Sequence, residues 1–253
     1  MFVNANTFRV KAGATIGLPG AVEPAMVRPP DGADAGGRSV TIRAVLWDFG
    51  GVLTTSPFDA FKRYEAEHGL AKDFIRSVNA SDPDRNAWAR FERSEIGLDE
   101  FDRAFAAESA ARGRAVPGRD VVALLAGDVR PAMVEALRRC RERLKCVCIT
   151  NNARVGGGPG MTLDAAKSAE VAGIMSLFHE VVESSKVGLR KPDPGIYEIA
   201  CRAAGAVPAE AVYLDDLGIN LKPARAMGMT TIKVTDPDAA LDELEAVVGF
   251  ALR

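Results

Sequence analysis

Five short stretches of the chain are apolar or alternate in strand fashion: Ile42–Trp47, Leu144–Ile149, Glu180–Glu183, Ala211–Leu214 and Thr230–Val234. Runs of this length, rich in β-formers and bounded by polar or glycine residues, predict strands. Between the later strands the apolar positions shift to helical spacing. Met133, Leu137 and Cys140 mark a helix over Pro131–Arg143. Asp164–Leu177, Pro194–Ala204, Leu221–Met227 and Ala239–Leu252 follow. Strands alternating with helices imply right-handed crossovers, a parallel sheet and an α/β fold.

One interval breaks this rhythm. From Pro57 to about Val129 only helical patterns occur, seen in Phe58-Phe61-Tyr64, Trp88-Phe91-Glu92 and Phe101-Phe105. The expected organisation is an α/β core from 41–56 and 130–253, with 57–129 inserted as a small helical domain. Residues 1–40 form an extension. Six glycines and four prolines lie between Gly13 and Gly37, a composition that buries little surface. Met1–Val10 is a candidate extra strand, and Met26 is another possible initiator.

Composition narrows the function classes. The 253 residues suffice for one large core with a small second domain. Hydrophobic residues make up 47% of the chain, as in globular proteins. A formal net charge of -2 gives no electrostatic reason to expect nucleic acid or an anionic membrane as partner. No apolar stretch approaches the roughly 20 residues of a membrane span, and the first forty residues lack the apolar segment of a signal peptide. The four cysteines lie in apolar or helical stretches, as reduced core thiols of a cytoplasmic protein would.

The candidate chemistry sits at the strand ends. Asp48 closes the run Ala44-Val45-Leu46-Trp47 and precedes Phe49-Gly50-Gly51. Thr150-Asn151-Asn152 ends the second strand, and Asp215-Asp216 ends the fourth. Lys191 lies in Gly188-Leu189-Arg190-Lys191-Pro192-Asp193-Pro194, just before a helix. In a parallel sheet these clusters converge on the carboxyl edge, where open α/β folds bind ligands. Their types suit phosphoryl transfer. A carboxylate attacks phosphorus. Mg²⁺ takes carboxylate, carbonyl, phosphate and water oxygens. A lysine neutralises nucleophile and phosphate together. A threonine hydroxyl and backbone amides, approached closely at Gly50 and Gly51, hold the remaining oxygens.

Asp, then Thr, then Lys, then an acidic pair in this order resembles the signature of the haloacid dehalogenase superfamily. The segment from Val212 to Arg225, together with Arg130-Pro131 and Val187–Tyr197, is similar to its phosphatase members found at the N-terminus of soluble epoxide hydrolases. The resemblance spans about Thr41 to Leu252. It implies a Rossmann-like, doubly wound parallel sheet with a helical cap. By the same resemblance Asp48 is nucleophile and Mg²⁺ ligand, and Gly50 gives its carbonyl to the metal. Thr150, Asn151 and the Gly51 amide bind the phosphoryl group, and Lys191 neutralises charge. Asp216 is a direct metal ligand, and Asp215 binds directly or through water. The expected substrate is a small phosphorylated compound.

One departure matters. Most phosphatases of this superfamily carry an Asp two residues after the nucleophile, as acid and base; here that residue is Gly50. Such help is typically worth ~10²–10⁴-fold, so hydrolysis is expected to be slow unless another group supplies it. Asp59, Glu92 and Glu95 are the insert's candidates, though exposed helix charge is the better reading of each; His68 and His179 suit structural roles. Two alternatives stand beside the phosphohydrolase: a metal-independent haloacid dehalogenase and a non-catalytic phospho-ligand binder. Trp88, Phe91 and Phe101 fit core packing better than a pocket lining.

Overall fold

The computed structural model describes residues 40–153 and 165–253. The candidate strand at Met1–Val10 and nearly all of the 1–40 extension lie outside these residues. Five strands form one sheet: β1 (Ala44–Trp47), β2 (Lys145–Thr150), β3 (Glu180–Glu183), β4 (Ala211–Asp215) and β5 (Thr230–Lys233). Every pairing is parallel, in the order β3-β2-β1-β4-β5. The chain builds outward from β1 through β2 to β3, then crosses back to β4 and β5. The direction therefore switches between β1 and β4, the crevice where doubly wound sheets place ligands.

Strand alternation sorts the side chains into two apolar layers. Val45, Trp47, Cys146, Cys148, Val212 and Leu214 face one side. There they meet helices α6 (Pro131–Arg141), α7 (Ala165–Met175) and α11 (Pro237–Val248). Ala44, Leu46, Val147, Ile149 and Tyr213 face the other side. They pack on α9 (Pro194–Ala204) and α10 (Gly218–Ala226). Burial on both faces explains why the strands read as continuous apolar runs. The four cysteines are free and buried.

The insert holds α1 (Pro57–Glu67), α2 (Phe74–Asn79), α3 (Ala87–Glu92), α4 (Leu98–Ala110) and α5 (Gly118–Ala123). It has its own apolar cluster, in which Phe91 stacks on Phe101 at 4.3 Å and Phe105 lies 5.5 Å from Phe101. Its entry and exit run side by side. Thr54 and Val129 form an antiparallel bridge. The Thr55 amide donates to the Asp128 carbonyl at 2.8 Å, and the Arg130 amide to the Leu53 carbonyl at 2.8 Å. The two connections thus form a narrow neck. A four-residue helix, α8 (Ser184–Val187), follows β3. No helix among the described residues is long and apolar enough to cross a membrane.

Element boundaries differ from the sequence reading by a few residues. Helix α11 ends at Val248 rather than Leu252, and the largest shift of a start is that of α10, at Gly218 rather than Leu221. Its first turn exposes Ile219 and buries Asn220, so apolar spacing hides the start. The turn is organised instead by Asp215, whose Oδ1 accepts from the Leu217 amide at 2.8 Å.

Candidate functional site

Asp48 leaves the central strand of the sheet, its amide donating to the Leu214 carbonyl at 2.9 Å. The register of β1 with β4 thus carries through Asp48 and brings it beside Asp215. Lys191, from the loop before α9, reaches between them. Its Nζ lies 2.7 Å from Asp48 Oδ1 and 2.9 Å from Asp215 Oδ2. Lys191 and Asp215 are 2% and 0% exposed, so this is a buried ion triad. Such a triad holds only if its remaining polar atoms find partners.

Asp215 meets that condition fully. Both of its oxygens accept from Asn220 Nδ2, at 3.1 and 3.0 Å. Oδ2 also accepts from the Tyr213 hydroxyl. Asp216 is more open: its Oδ2 accepts from Ser56 Oγ at 3.1 Å. Oxygens of Asp48, Asp215 and Asp216 lie within 4.8 Å of one another. Burial and then the Asp215 charge push the Asp216 carboxyl up to about 6. Burial, countered by Lys191, raises Asp48 as well, and both acids of the pair add to the rise. Burial opposes the Lys191 ammonium, but Asp215 and Asp48 outweigh it and hold its pKa above the ordinary lysine value.

Thr150 is buried at the end of β2 and lines the same cavity as Asp48. Asn151 lines it too, but its side chain is committed elsewhere. Its Nδ2 donates to the Lys191 carbonyl at 3.0 Å, and its Oδ1 accepts from the Lys191 amide at 2.8 Å. This reciprocal clasp fixes the lysine loop, which includes a cis Lys191–Pro192 bond.

Gly50 and Gly51 behave differently. Gly50 lines the cavity, and a Cβ built on it meets nothing within 4 Å. Gly51 does not line it. It sits at φ +78, where a Cβ would fall 2.3 Å from Asp216 Oδ2. Its carbonyl accepts from Arg130 Nη1 at 3.0 Å.

The cavity measures about 540 Å³. Strand ends form its floor. Phe58, Phe61, Trp88, Leu125 and Val129 of the insert side and its neck form much of its wall. Of the three aromatics expected to pack, Phe91 and Phe101 are buried in the insert core, and Trp88 packs edge-on to Phe101 at 5.7 Å while also lining the cavity. His68 caps α1 and stacks on Tyr64 at 3.9 Å. His179 accepts from the Cys146 amide at 3.0 Å, just before β3.

The sequence reading passed over Ser56, Tyr213 and Asn220. All three bind the acidic pair; Tyr213 and Asn220 fall in the family-like Val212–Arg225 segment, whereas Ser56 carries no signal of its own. Spacing offered one hint: Asn220 lies on the first turn of the helix that Asp215 organises.

The model of the haloacid dehalogenase-like hydrolase family matches residues 42–228. The chain is 34% identical over 225 residues to acyl-CoA dehydrogenase family member 10 of Mus musculus, covering 86% of this chain and 20% of that protein. It is 30% identical over 221 residues to bifunctional epoxide hydrolase 2 of Mus musculus, covering 83% and 39%. It therefore spans well under half the length of both relatives. The sesquiterpene phosphatase astK of Aspergillus oryzae is 27% identical over 215 residues, covering 83% of this chain and 98% of that one. In fold the chain resembles an enzyme of this family from Bacteroides thetaiotaomicron, solved with magnesium and inorganic phosphate. The TM-score is 0.51 at 20% identity, covering 76% and 93% of the two chains.

Proposed function

Because the chain belongs to the haloacid dehalogenase-like hydrolase family, we propose that it is a Mg²⁺-dependent phosphohydrolase working through an aspartyl phosphate on Asp48. The observation that carries this reading is the buried Asp48–Lys191–Asp215 triad, with Asp216 beside it, on the floor of a cavity. Relatives described as phosphatases support the reaction class.

The donor set fits the metal. Three carboxylates within 4.8 Å face one buried ammonium, an imbalance that a cation relieves. Oxygen-only sites of one or two carboxylates suit Mg²⁺. Asp48, Asp216 and the Gly50 carbonyl would hold it, and Asp215, already saturated, would serve the lysine. When bound, the ion supplies neutralisation of phosphoryl charge.

The chain's own groups do the rest. Asp48 Oδ attacks phosphorus, and the bond to the leaving oxygen breaks. Lys191 favours the Asp48 carboxylate against the effect of burial and offsets charge on the transferring group. The Thr150 hydroxyl and the amides at 50 and 151 donate to phosphoryl oxygens. The insert, 57–129, serves as a cap over the 41–56 and 130–253 core and lines the leaving-group side. Its apolar wall favours a small phosphomonoester with an apolar portion. Four free buried thiols suit the reducing cytoplasm.

The test is phosphate release from 4-nitrophenyl phosphate. Turnover should require Mg²⁺ and stop with EDTA, and Asp48→Asn should lower it by on the order of 10⁴-fold or more. Activity that survives Asp48→Asn rules the mechanism out. Halide release from a 2-haloacid in EDTA would replace the reading with a dehalogenase.

A further inference from the structure

The gap beside the nucleophile at Gly50 leaves proton transfer without an obvious owner. The structure separates the insert's three candidates. Asp59 is exposed and pairs with Lys62 at 2.9 Å. Glu95 is exposed and pairs with Arg93 at 2.6 Å. Neither lines the cavity. Glu92 does, and it is only 5% exposed. Glu170, the other carboxyl lining the cavity away from the strand ends, is exposed on α7.

Glu92 is also held at both of its ends. Its carbonyl accepts from Ser184 Oγ at 2.8 Å, and that hydroxyl accepts from the Asn152 amide at 2.8 Å. Asn152 lies two residues beyond Thr150. The carboxylate lies 2.7 Å from Arg190 Nη2. Arg190 in turn donates to the Pro83 carbonyl at 2.8 Å and immediately precedes Lys191. Glu92 is therefore fixed to both the Thr150 loop and the lysine loop. Glu92 Oε2 makes that ion pair, and the Trp88 side chain, one turn earlier on the same helix, also favours the carboxylate. Burial raises its pKa, while Arg190 and then Lys191 oppose the rise and favour the carboxylate.

We propose that Glu92 is the general base that opens the aspartyl phosphate, in place of a side chain at position 50. The proposal rests on the reading of Asp48 as nucleophile. A water oxygen attacks phosphorus while its proton passes to a Glu92 carboxylate oxygen. The bond between phosphorus and Asp48 Oδ breaks. Asp48 returns as carboxylate, phosphate leaves, and Glu92 then gives its proton to solvent.

Rapid-quench kinetics of the full chain with 4-nitrophenyl phosphate and Mg²⁺ test this. Glu92→Gln should keep a nitrophenolate burst stoichiometric with enzyme while steady-state turnover falls by on the order of 10²-fold. The protein should gain one phosphoryl group in mass. Gly50→Asp in that background should restore turnover, and Glu95→Gln should behave as wild type. Steady-state turnover of Glu92→Gln within about twofold of wild type overturns the proposal; a catalytic base is worth far more. So does a burst that slows in step with turnover and is matched by Arg190→Met, which marks a structural latch. Should Glu92→Gln fail to fold, Glu92→Asp serves: burst retained with slow turnover supports the role, and unslowed turnover overturns it. Asp48→Asn must abolish both phases. If it does not, the underlying phosphatase reading fails instead.

Discussion

The floor and the wall of the cavity are built on opposite principles. On the floor, Lys191, Asp48 and Asp215 are interlocked at 2.7 and 2.9 Å, and Tyr213, Asn220 and the Leu217 amide tie Asp215 down. On the wall, Phe58, Trp88, Leu125 and Val129 present apolar surface on short helices and a two-strand neck. The difference teaches how the two tasks diverge. Charge stabilisation needs dipoles and charges placed in advance, so that nothing reorganises during reaction. Holding a leaving group, the task proposed for the wall, needs mainly apolar area and shape.

Breaking the floor should have the largest effect. Lys191→Met leaves two buried carboxylates without their cation. Stability should fall by about 3–5 kcal/mol in urea melts, with phosphatase activity lost. Gly51→Ala comes next. It puts a Cβ on a φ of +78 and against Asp216 Oδ2. A cost of about 1–3 kcal/mol is expected, with weaker Mg²⁺ dependence in the activity titration. Gly50→Ala, where space is open, should melt like wild type.

Changes to the wall should act on recognition. Phe58 lines the cavity away from Glu92, and Phe58→Ala should raise KM several-fold for bulky apolar phosphates while kcat for 4-nitrophenyl phosphate stays within about twofold, since the floor is untouched. An equal loss of kcat on both substrates would erase the distinction between the regions.

The smallest effect belongs to neither region. His179 sits at the opposite end of the sheet, where burial, then Lys145 and Arg141, lower its pKa from 6.5. Its neutral form is favoured in the folded state. The unfolded chain therefore binds more protons as pH falls through about 6.5. Stability should drop slightly over that window and be restored above it. A His179→Gln variant should flatten the effect in thermal melts.

Local pattern carried much of the architecture. The five strands, the helices between them and the helical insert were legible because burial on two sheet faces writes continuous apolar runs, and amphipathic packing writes helical spacing. The order of Asp48, Thr150, Lys191 and Asp215-Asp216 was legible for a related reason: parallel strands place their carboxyl ends on one edge. The start of α10 was not, since its first turn is set by a side-chain cap rather than by apolar spacing.

Chain order therefore determined the fold class and the membership of the strand-end cluster. Tertiary structure decided how the cluster divides its labour. It saturated Asp215 with Tyr213, Asn220 and Lys191, left Asp216 open, and turned the Asn151 side chain to the lysine loop. It also chose Glu92 over Asp59 and Glu95 as the carboxyl that shares the cavity. These assignments depend on distances of a few ångströms between residues far apart in the chain, 160 positions for Ser56 and Asp216. Periodicity is a property of neighbours along the chain and holds no record of such approaches.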